Sequence, residues 1–110
     1  MSEYSFSEYS KNANITACYP TDRAVEYCTL GIVGEAGEIA NKYKKILRGD
    51  NPMDDNQRLE LAKEIGDVLW YADRLSVELG YTLEQVAKMN IDKLHSRYKR
   101  NQIKGDGDNR

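Results

Sequence analysis

Two pairs of acidic residues, each with a spacing of three, restrict what this 110-residue chain can fold into. Glu35 and Glu38 lie in the segment GIVGEAGEIANKYKK, and Glu64 and Asp67 lie in KEIGDVLW. In a helix this spacing places both members of a pair on one side, roughly 60° apart. Four carboxylates on two facing helices would repel one another, and their burial without a cation would be costly. We therefore predict that the fold gathers both pairs around a divalent metal ion.

The periodicity of the chain is helical throughout. Proline occurs only at Pro20 and Pro52, between helical patterns, and no alternating pattern bounded by turn signals indicates a strand. We predict an all-α fold, a four-helix bundle with two long central helices. The expected helices run from about Ser5 to Ala17, from a cap at Thr21 or Asp22 to about Leu47, from a cap at Asp54 to Leu79, and from a cap at Thr82 to about Arg100.

The length predicts a single domain over residues 1–110. The helical patterns divide it into an N-terminal helix and linker at 1–20, the helices that carry the acidic pairs and the other candidate site residues at 21–100, and a tail at 101–110. A chain this short builds only a thin core, so association with other copies would stabilise it. The tail is rich in glycine. We expect it to form a loop, and its position after the fourth helix would let it fold over a site in this subunit or a neighbouring one, where Arg110 could reach phosphate.

Composition excludes several classes of function. A formal net charge of −2 argues against binding to a nucleic-acid polymer. No apolar run is long enough to span a membrane, and the polar N-terminus has no hydrophobic region typical of a signal peptide. Cys18 and Cys28 fit no zinc-binding spacing, so we expect reduced, mostly buried cysteines and a cytoplasmic protein.

Both acidic pairs lie at the margin of an apolar helix face, where side-by-side packing would bring them together. Glycines at Gly34, Gly37 and Gly66 each directly precede one of the acids, although a glycine inside a helix costs about 0.5–1 kcal/mol relative to alanine. We predict that these glycines allow close approach of helices and leave room for ligands.

Clustered carboxylates without histidine or thiolate are the ligand set that magnesium prefers, and magnesium is usually completed by the phosphates of a substrate. Lys42 and Lys45, on the same edge as the first acidic pair, would then contact phosphate oxygens. The alternative is that Glu38 and Lys42 form an ordinary surface pair and that the other acids are solvated.

Polar and aromatic residues elsewhere are candidates for nucleoside contacts. Asn90 lies within an apolar stripe of the fourth helix, where its amide needs either a backbone partner or the edge of a base or sugar. Lys93 and Arg97 lie on one face with it, as solvated charges or as phosphate contacts. Trp70 and Tyr71 flank the acidic residues, and either could stack on a base; for Trp70 we favour packing in the core.

These motifs resemble the MazG-type nucleoside triphosphate pyrophosphohydrolases. The resemblance rests on Gly34-Glu35-x-Gly37-Glu38, on Glu64-x-x-Asp67 with its flanking sequence, on Asn90-x-x-Lys93-Leu94-x-x-Arg97, and on the C-terminal GDGDNR. It covers roughly residues 21–110. The chain carries one copy of the paired acidic motif, unlike the duplicated long members of that family.

The resemblance implies an all-α bundle assembled as a homodimer or homotetramer. It implies a hydrolase of acid anhydrides that converts (deoxy)nucleoside triphosphates to the monophosphate and pyrophosphate, in nucleotide-pool control or house-cleaning. Mg²⁺ is the expected cofactor, with Mn²⁺ as a substitute. The implied site residues are the metal ligands Glu35, Glu38, Glu64 and Asp67, and the candidates for base, sugar or phosphate contacts Tyr71, Asn90, Lys93 and Arg97. The phosphate contacts expected of Lys42 and Lys45 rest on their position beside the first acidic pair and not on the resemblance.

The mechanism it implies is metal-assisted hydrolysis in which Glu35 or Glu38 orients the attacking water, with no basis for choosing between them. Basic residues would stabilise the charge of the transition state. The competing reading is a non-catalytic helical module that binds nucleotides or another protein.

Overall fold

Four α-helices form the part of the chain that the computed structural model describes, residues 3–101 and 107–108. Those residues contain no strand. The all-α prediction is therefore confirmed. The helices are α1 (Phe6–Ile15), α2 (Ala24–Arg48), α3 (Asp55–Glu78) and α4 (Leu83–Lys99), with a short 3-10 turn, Thr21–Arg23, before α2.

Side chains at the helix ends account for most of these boundaries. The hydroxyl of Ser5 accepts a hydrogen bond from the Glu8 amide, and the carboxylate of Asp54 accepts one from Gln57, so each satisfies an amide of the first helical turn. Thr82 and Gln85 form a reciprocal capping box at the start of α4. The caps expected at Ser5, Asp54 and Thr82 are therefore present.

The start of α2 differs from the prediction. Thr21 and Asp22 lie inside the 3-10 turn that follows Pro20, and the residue that precedes the helix, Arg23, makes no capping hydrogen bond through its side chain. The tight turn carries the chain directly into α2. At the other end, Gly49 adopts the expected left-handed conformation with φ 92°, which a side chain would disfavour.

The helices α2 and α3 pack as an antiparallel pair and form the centre of the molecule. Their direction follows from the contacts: Lys42 reaches Glu60 and Glu64 near one end, whereas Tyr27 contacts Tyr71 nearer the other. This pairing brings the two acidic motifs to the same level of the bundle.

A buried polar network fastens α1 to α3. Arg74 is 2% exposed and Asp73 is 0% exposed, and two guanidinium nitrogens of Arg74 donate to Asp73 Oδ2 at 2.6 and 2.9 Å. The same guanidinium donates to Asn14 Oδ1 at 2.8 Å, and to the carbonyl and hydroxyl oxygens of Ser10, both at 3.0 Å. Because a buried charge is tolerated only when it is paired, this network holds α1 in one position.

The single chain buries few apolar side chains. Its accessible surface is 8287 Å², which exceeds by about 2,000 Å² the area expected for a compact monomer of its mass. Its radius of gyration, 16.8 Å, also exceeds the roughly 13 Å expected at this length. Large apolar side chains such as Leu30 (72% exposed) and Val33 (68% exposed) face solvent from α2.

The two cysteines differ in environment. Cys28 is fully buried, in agreement with the sequence analysis, whereas Cys18 is exposed, and neither forms a disulfide. Burial raises the pKa of the Cys28 thiol, which keeps it protonated and unreactive. No helix within the described ranges is long and apolar enough to cross a membrane.

Candidate metal and nucleotide site

Three of the four predicted metal ligands converge between α2 and α3. Glu35 from α2 and Glu64 and Asp67 from α3 each offer a carboxylate oxygen, and these oxygens lie within 4.8 Å of one another. Glu35 and Glu64 are half-buried and Asp67 is exposed, so the cluster opens to solvent on one side. An all-oxygen set of this kind matches the preference of magnesium or manganese rather than that of zinc.

Glu38 does not join this cluster. It is exposed on the helix edge beside Glu35, and among the described residues the cluster consists of the other three acids. Its carboxylate is still close enough to Glu35 to act on it electrostatically. Its predicted role as a ligand or a water-orienting base therefore stays a prediction.

The environment of Glu35 opposes its ionisation. Burial raises the pKa of Glu35, and the carboxylates of Asp67 and Glu64 raise it further. A carboxyl group whose pKa is higher in the folded than in the unfolded state binds its proton more tightly when folded, so folding loses free energy as the pH rises through that pKa range. A divalent cation would offset this penalty, and the residues present therefore fit a metal site.

Lys42 closes one side of the cluster. Its ammonium nitrogen lies 2.9 Å from Glu64 Oε1 and 3.5 Å from Glu60 Oε2. The hydrogen bond to Glu64 raises the pKa of Lys42, so the side chain stays charged. Lys45, three residues further along α2, is exposed. Lys42 is thus placed at the edge of the carboxylates, where the phosphates of a substrate would extend.

A cleft of about 360 Å³ adjoins the acidic cluster. It is lined by two of the acids, Glu35 and Asp67, and by Thr16, Trp70 and Tyr71. Its volume falls at the lower end of the range of small-molecule sites, which combine an apolar wall with a few polar groups. The cleft is therefore lined both by anionic groups of the metal-accepting cluster and by aromatic rings.

Tyr71 lies against the backbone of α2 because Gly31 has no side chain. A Cβ added at Gly31 would lie 2.3 Å from Tyr71 Cε1, which is well inside van der Waals contact. Gly31 is thus the glycine that allows close approach within the chain. Gly34, Gly37 and Gly66 face open space instead, with no atom within 4 Å of an added Cβ, so the close approach predicted for them does not occur within one chain.

The predicted contacts on α4 are not among the residues of the acidic cluster or of the cleft lining. Within the described residues α4 contacts α1 and α3 but not α2. Asn90 is exposed, and Lys93 and Arg97 both bind the tail residue Asp108, at 2.8 and 3.3 Å. Their predicted contact with substrate stays a prediction, as does that of Arg110, which lies outside the described residues.

The cleft contains two residues that the sequence analysis did not assign to the site. Trp70, for which core packing was favoured, is only half-buried and lines the cleft, and Thr16 was given no role. Because Trp70 is next to Tyr71 in the sequence, and Tyr71 was assigned to the site, the sequence could have indicated that Trp70 also lines the cleft. No feature of the neighbouring sequence indicates that Thr16 lines the cleft, because its contact is with Trp70, which lies 54 residues further along the chain.

Comparisons with known proteins give a family and a relative for this chain. The MazG nucleotide pyrophosphohydrolase domain family matches residues 23–101 of the chain. The chain is also similar to the Gene 37 protein of Mycobacterium phage L5, with 45% identity over 109 residues that cover 93% of this chain and 96% of the relative. No solved structure matches the chain. The acidic cluster lies inside the matched residues, whereas α1 precedes them.

Proposed function

The chain belongs to the MazG nucleotide pyrophosphohydrolase family, and from this premise we propose that it hydrolyses (deoxy)nucleoside triphosphates to the monophosphate and pyrophosphate with Mg²⁺. The family resemblance stated from the acidic motifs is thereby confirmed. The observation that carries the proposal is that two acids of the cluster of three carboxylates within 4.8 Å, Glu35 and Asp67, line the same cleft as Trp70 and Tyr71.

In this proposal Glu35, Glu64 and Asp67 hold the metal, with Glu38 completing the set after a change of rotamer. The bound ion would neutralise charge on the triphosphate. Lys42, already at the edge of the cluster, would exchange its contact with Glu64 for a phosphate oxygen. Tyr71 would border the nucleoside, and Glu35 or Glu38 would orient the attacking water.

A substrate panel tests this function. We expect purified protein to release pyrophosphate from at least one canonical or modified nucleoside triphosphate with Mg²⁺ or Mn²⁺, and to release none when the metal is chelated. Release of pyrophosphate itself defines cleavage between the α- and β-phosphates, and orthophosphate release from nucleoside diphosphates in the same panel would show whether these are also accepted. If no triphosphate yields pyrophosphate with either metal, the enzymatic assignment fails and the non-catalytic helical module is preferred.

We further propose that the active form is a homodimer or homotetramer. The excess accessible surface of about 2,000 Å² is larger than the roughly 800 Å² that each partner buries in a typical stable interface. The outer side of α2 supplies apolar residues and small residues that would let another helix approach. These residues are Leu30, Val33, Gly37 and Ala40.

Localisation in the cytoplasm stays a prediction.

We expect Leu30→Glu to reduce the molar mass of the assembly, because it places a charge on this outer face. Leu30 is 72% exposed within the chain, so the substitution costs an isolated monomer little. Light scattering coupled to size-exclusion chromatography measures the mass. Asn56→Glu is the matched control, since it adds the same charge at an exposed position in the first turn of α3. A wild-type mass equal to that of a monomer would refute the proposed assembly.

A further inference from the structure

The helix α1 lies before the residues that the family matches, yet it contributes to the cleft. Thr16, directly after α1, lines the cleft beside Trp70, and the Trp70 indole nitrogen donates a hydrogen bond of 3.0 Å to its hydroxyl oxygen. That hydroxyl in turn donates to the Ala13 carbonyl at 3.0 Å. One threonine side chain thus links the end of α1 to the aromatic wall of the proposed site.

The remaining contacts of Trp70 hold its ring in one orientation. Its indole packs edge-to-face against Tyr71, with ring centroids 5.0 Å apart, and against Tyr19 at 6.2 Å. Edge-to-face packing is a favoured geometry for aromatic pairs. The position of α1, and therefore of Thr16, is secured by the partly buried hydrogen bonds of Arg74 to Ser10 and Asn14. The indole is consequently positioned before any ligand enters.

We propose that Trp70 stacks on the base of the bound nucleotide and that Thr16 is a positioning residue that orients the indole for this contact. The inference rests on the proposed function and names the part of the substrate that the aromatic rings of the cleft receive. The only polar atom of the indole is engaged by Thr16, so Trp70 offers the base its ring face and cannot donate a hydrogen bond to the base edge. Stacking of this kind tolerates different bases, since every base has a π-face.

The single tryptophan of the chain makes this testable by fluorescence without turnover. We expect nucleoside monophosphates, titrated in the presence of Mg²⁺, to quench the emission of Trp70. We expect ribose 5-phosphate, which has the sugar and phosphate but no base, not to quench it. Equal quenching by ribose 5-phosphate and by the nucleotides would overturn the base assignment, even if the enzyme releases pyrophosphate. Base-dependent quenching without turnover would support it while refuting the enzymatic proposal.

The role of Thr16 is tested by Thr16→Val, which keeps the shape of the side chain and removes the hydroxyl. The Kd for nucleoside monophosphates should rise by about 3- to 10-fold, the range that corresponds to the net contribution of one hydrogen bond. In the hydrolysis assay KM should rise while kcat stays unchanged. Thr16→Ser should restore both Kd and KM.

Thr29→Val is the matched control. Thr29 also donates its hydroxyl to a carbonyl of its own helix, Val25 at 2.7 Å, but it is exposed on α2 and lines no part of the cleft. Its Kd should equal that of the wild type. Circular dichroism of each variant under the titration conditions shows whether it is folded to the same extent as the wild type, so that partial unfolding is not mistaken for a higher Kd. Wild-type affinity in Thr16→Val would overturn the positioning role, and so would a failure of Thr16→Ser to restore affinity.

Discussion

Asp67→Asn is expected to lower the rate of pyrophosphate release by more than about 100-fold, since substitution of groups that merely support metal ligands already costs 10- to 100-fold. The same variant should have a higher melting temperature than the wild type when both are free of metal. The two effects have opposite signs because Asp67 is one of three carboxylates whose oxygens lie within 4.8 Å. Its charge is needed to bind the metal, but it repels the other two carboxylates when the metal is absent. Asparagine keeps the shape of the side chain and removes its charge.

The physical reason lies in the repulsion among the acids. Asp67 is the neighbour with the largest electrostatic effect on Glu35, and its charge raises the pKa of that carboxyl group. Without it, Glu35 ionises more readily and the metal-free folded state loses less free energy at neutral pH. The metal loses a ligand at the same time. Catalysis and metal-free stability are therefore expected to change in opposite directions.

Thermal unfolding with and without Mg²⁺ separates these effects. At a metal concentration 100 times the Kd, binding to the folded state contributes about 2.7 kcal/mol to the wild type, and this gain should disappear in Asp67→Asn. Asp92→Asn is the control, because Asp92 is an exposed residue of α4 that pairs only with Lys88 in the described structure. If Mg²⁺ leaves the melting temperature of the wild type unchanged, the acids are merely solvated and the metal proposal fails.

Arg74→Met is expected to destabilise the protein by about 3 kcal/mol or more, because removal of one partner of a buried ion pair leaves the other charge uncompensated. Asp73 is fully buried, and its Oδ1 already has no hydrogen-bond partner among the described residues. The substitution also removes the hydrogen bonds that hold α1, so Trp70 should become more exposed. A loss of this size is a large fraction of the stability of a small domain.

Urea unfolding, followed by circular dichroism and by Trp70 emission at a fixed protein concentration, measures the change. Arg58→Met is the matched control on the same helix, since Arg58 is 60% exposed and pairs with the solvated Asp55. It should change the free energy of unfolding by less than about 1 kcal/mol. Similar losses in the two variants would show that the buried network does not anchor α1.

The sequence by itself determined the helices and the side of each helix on which its acidic residues lie. Polar side chains at Asp54 and Thr82 cap helices through contacts only three residues away, so the residues that form each boundary are neighbours in the printed sequence. The spacing of Glu64 and Asp67 likewise fixes their common side on α3 through helix geometry alone. Local interactions of this kind do not depend on how the rest of the chain packs.

Only the tertiary structure decided which groups meet across helices. The antiparallel pairing of α2 and α3 includes Glu35 in the carboxylate cluster and leaves Glu38 at its edge. The anchoring of α1 by Arg74 brings Thr16 to an indole 54 residues away. Side-chain spacing predicts one face of one helix, whereas the partner of that face is set by the crossing and rotation of two helices. Those depend on the packing of many residues at once.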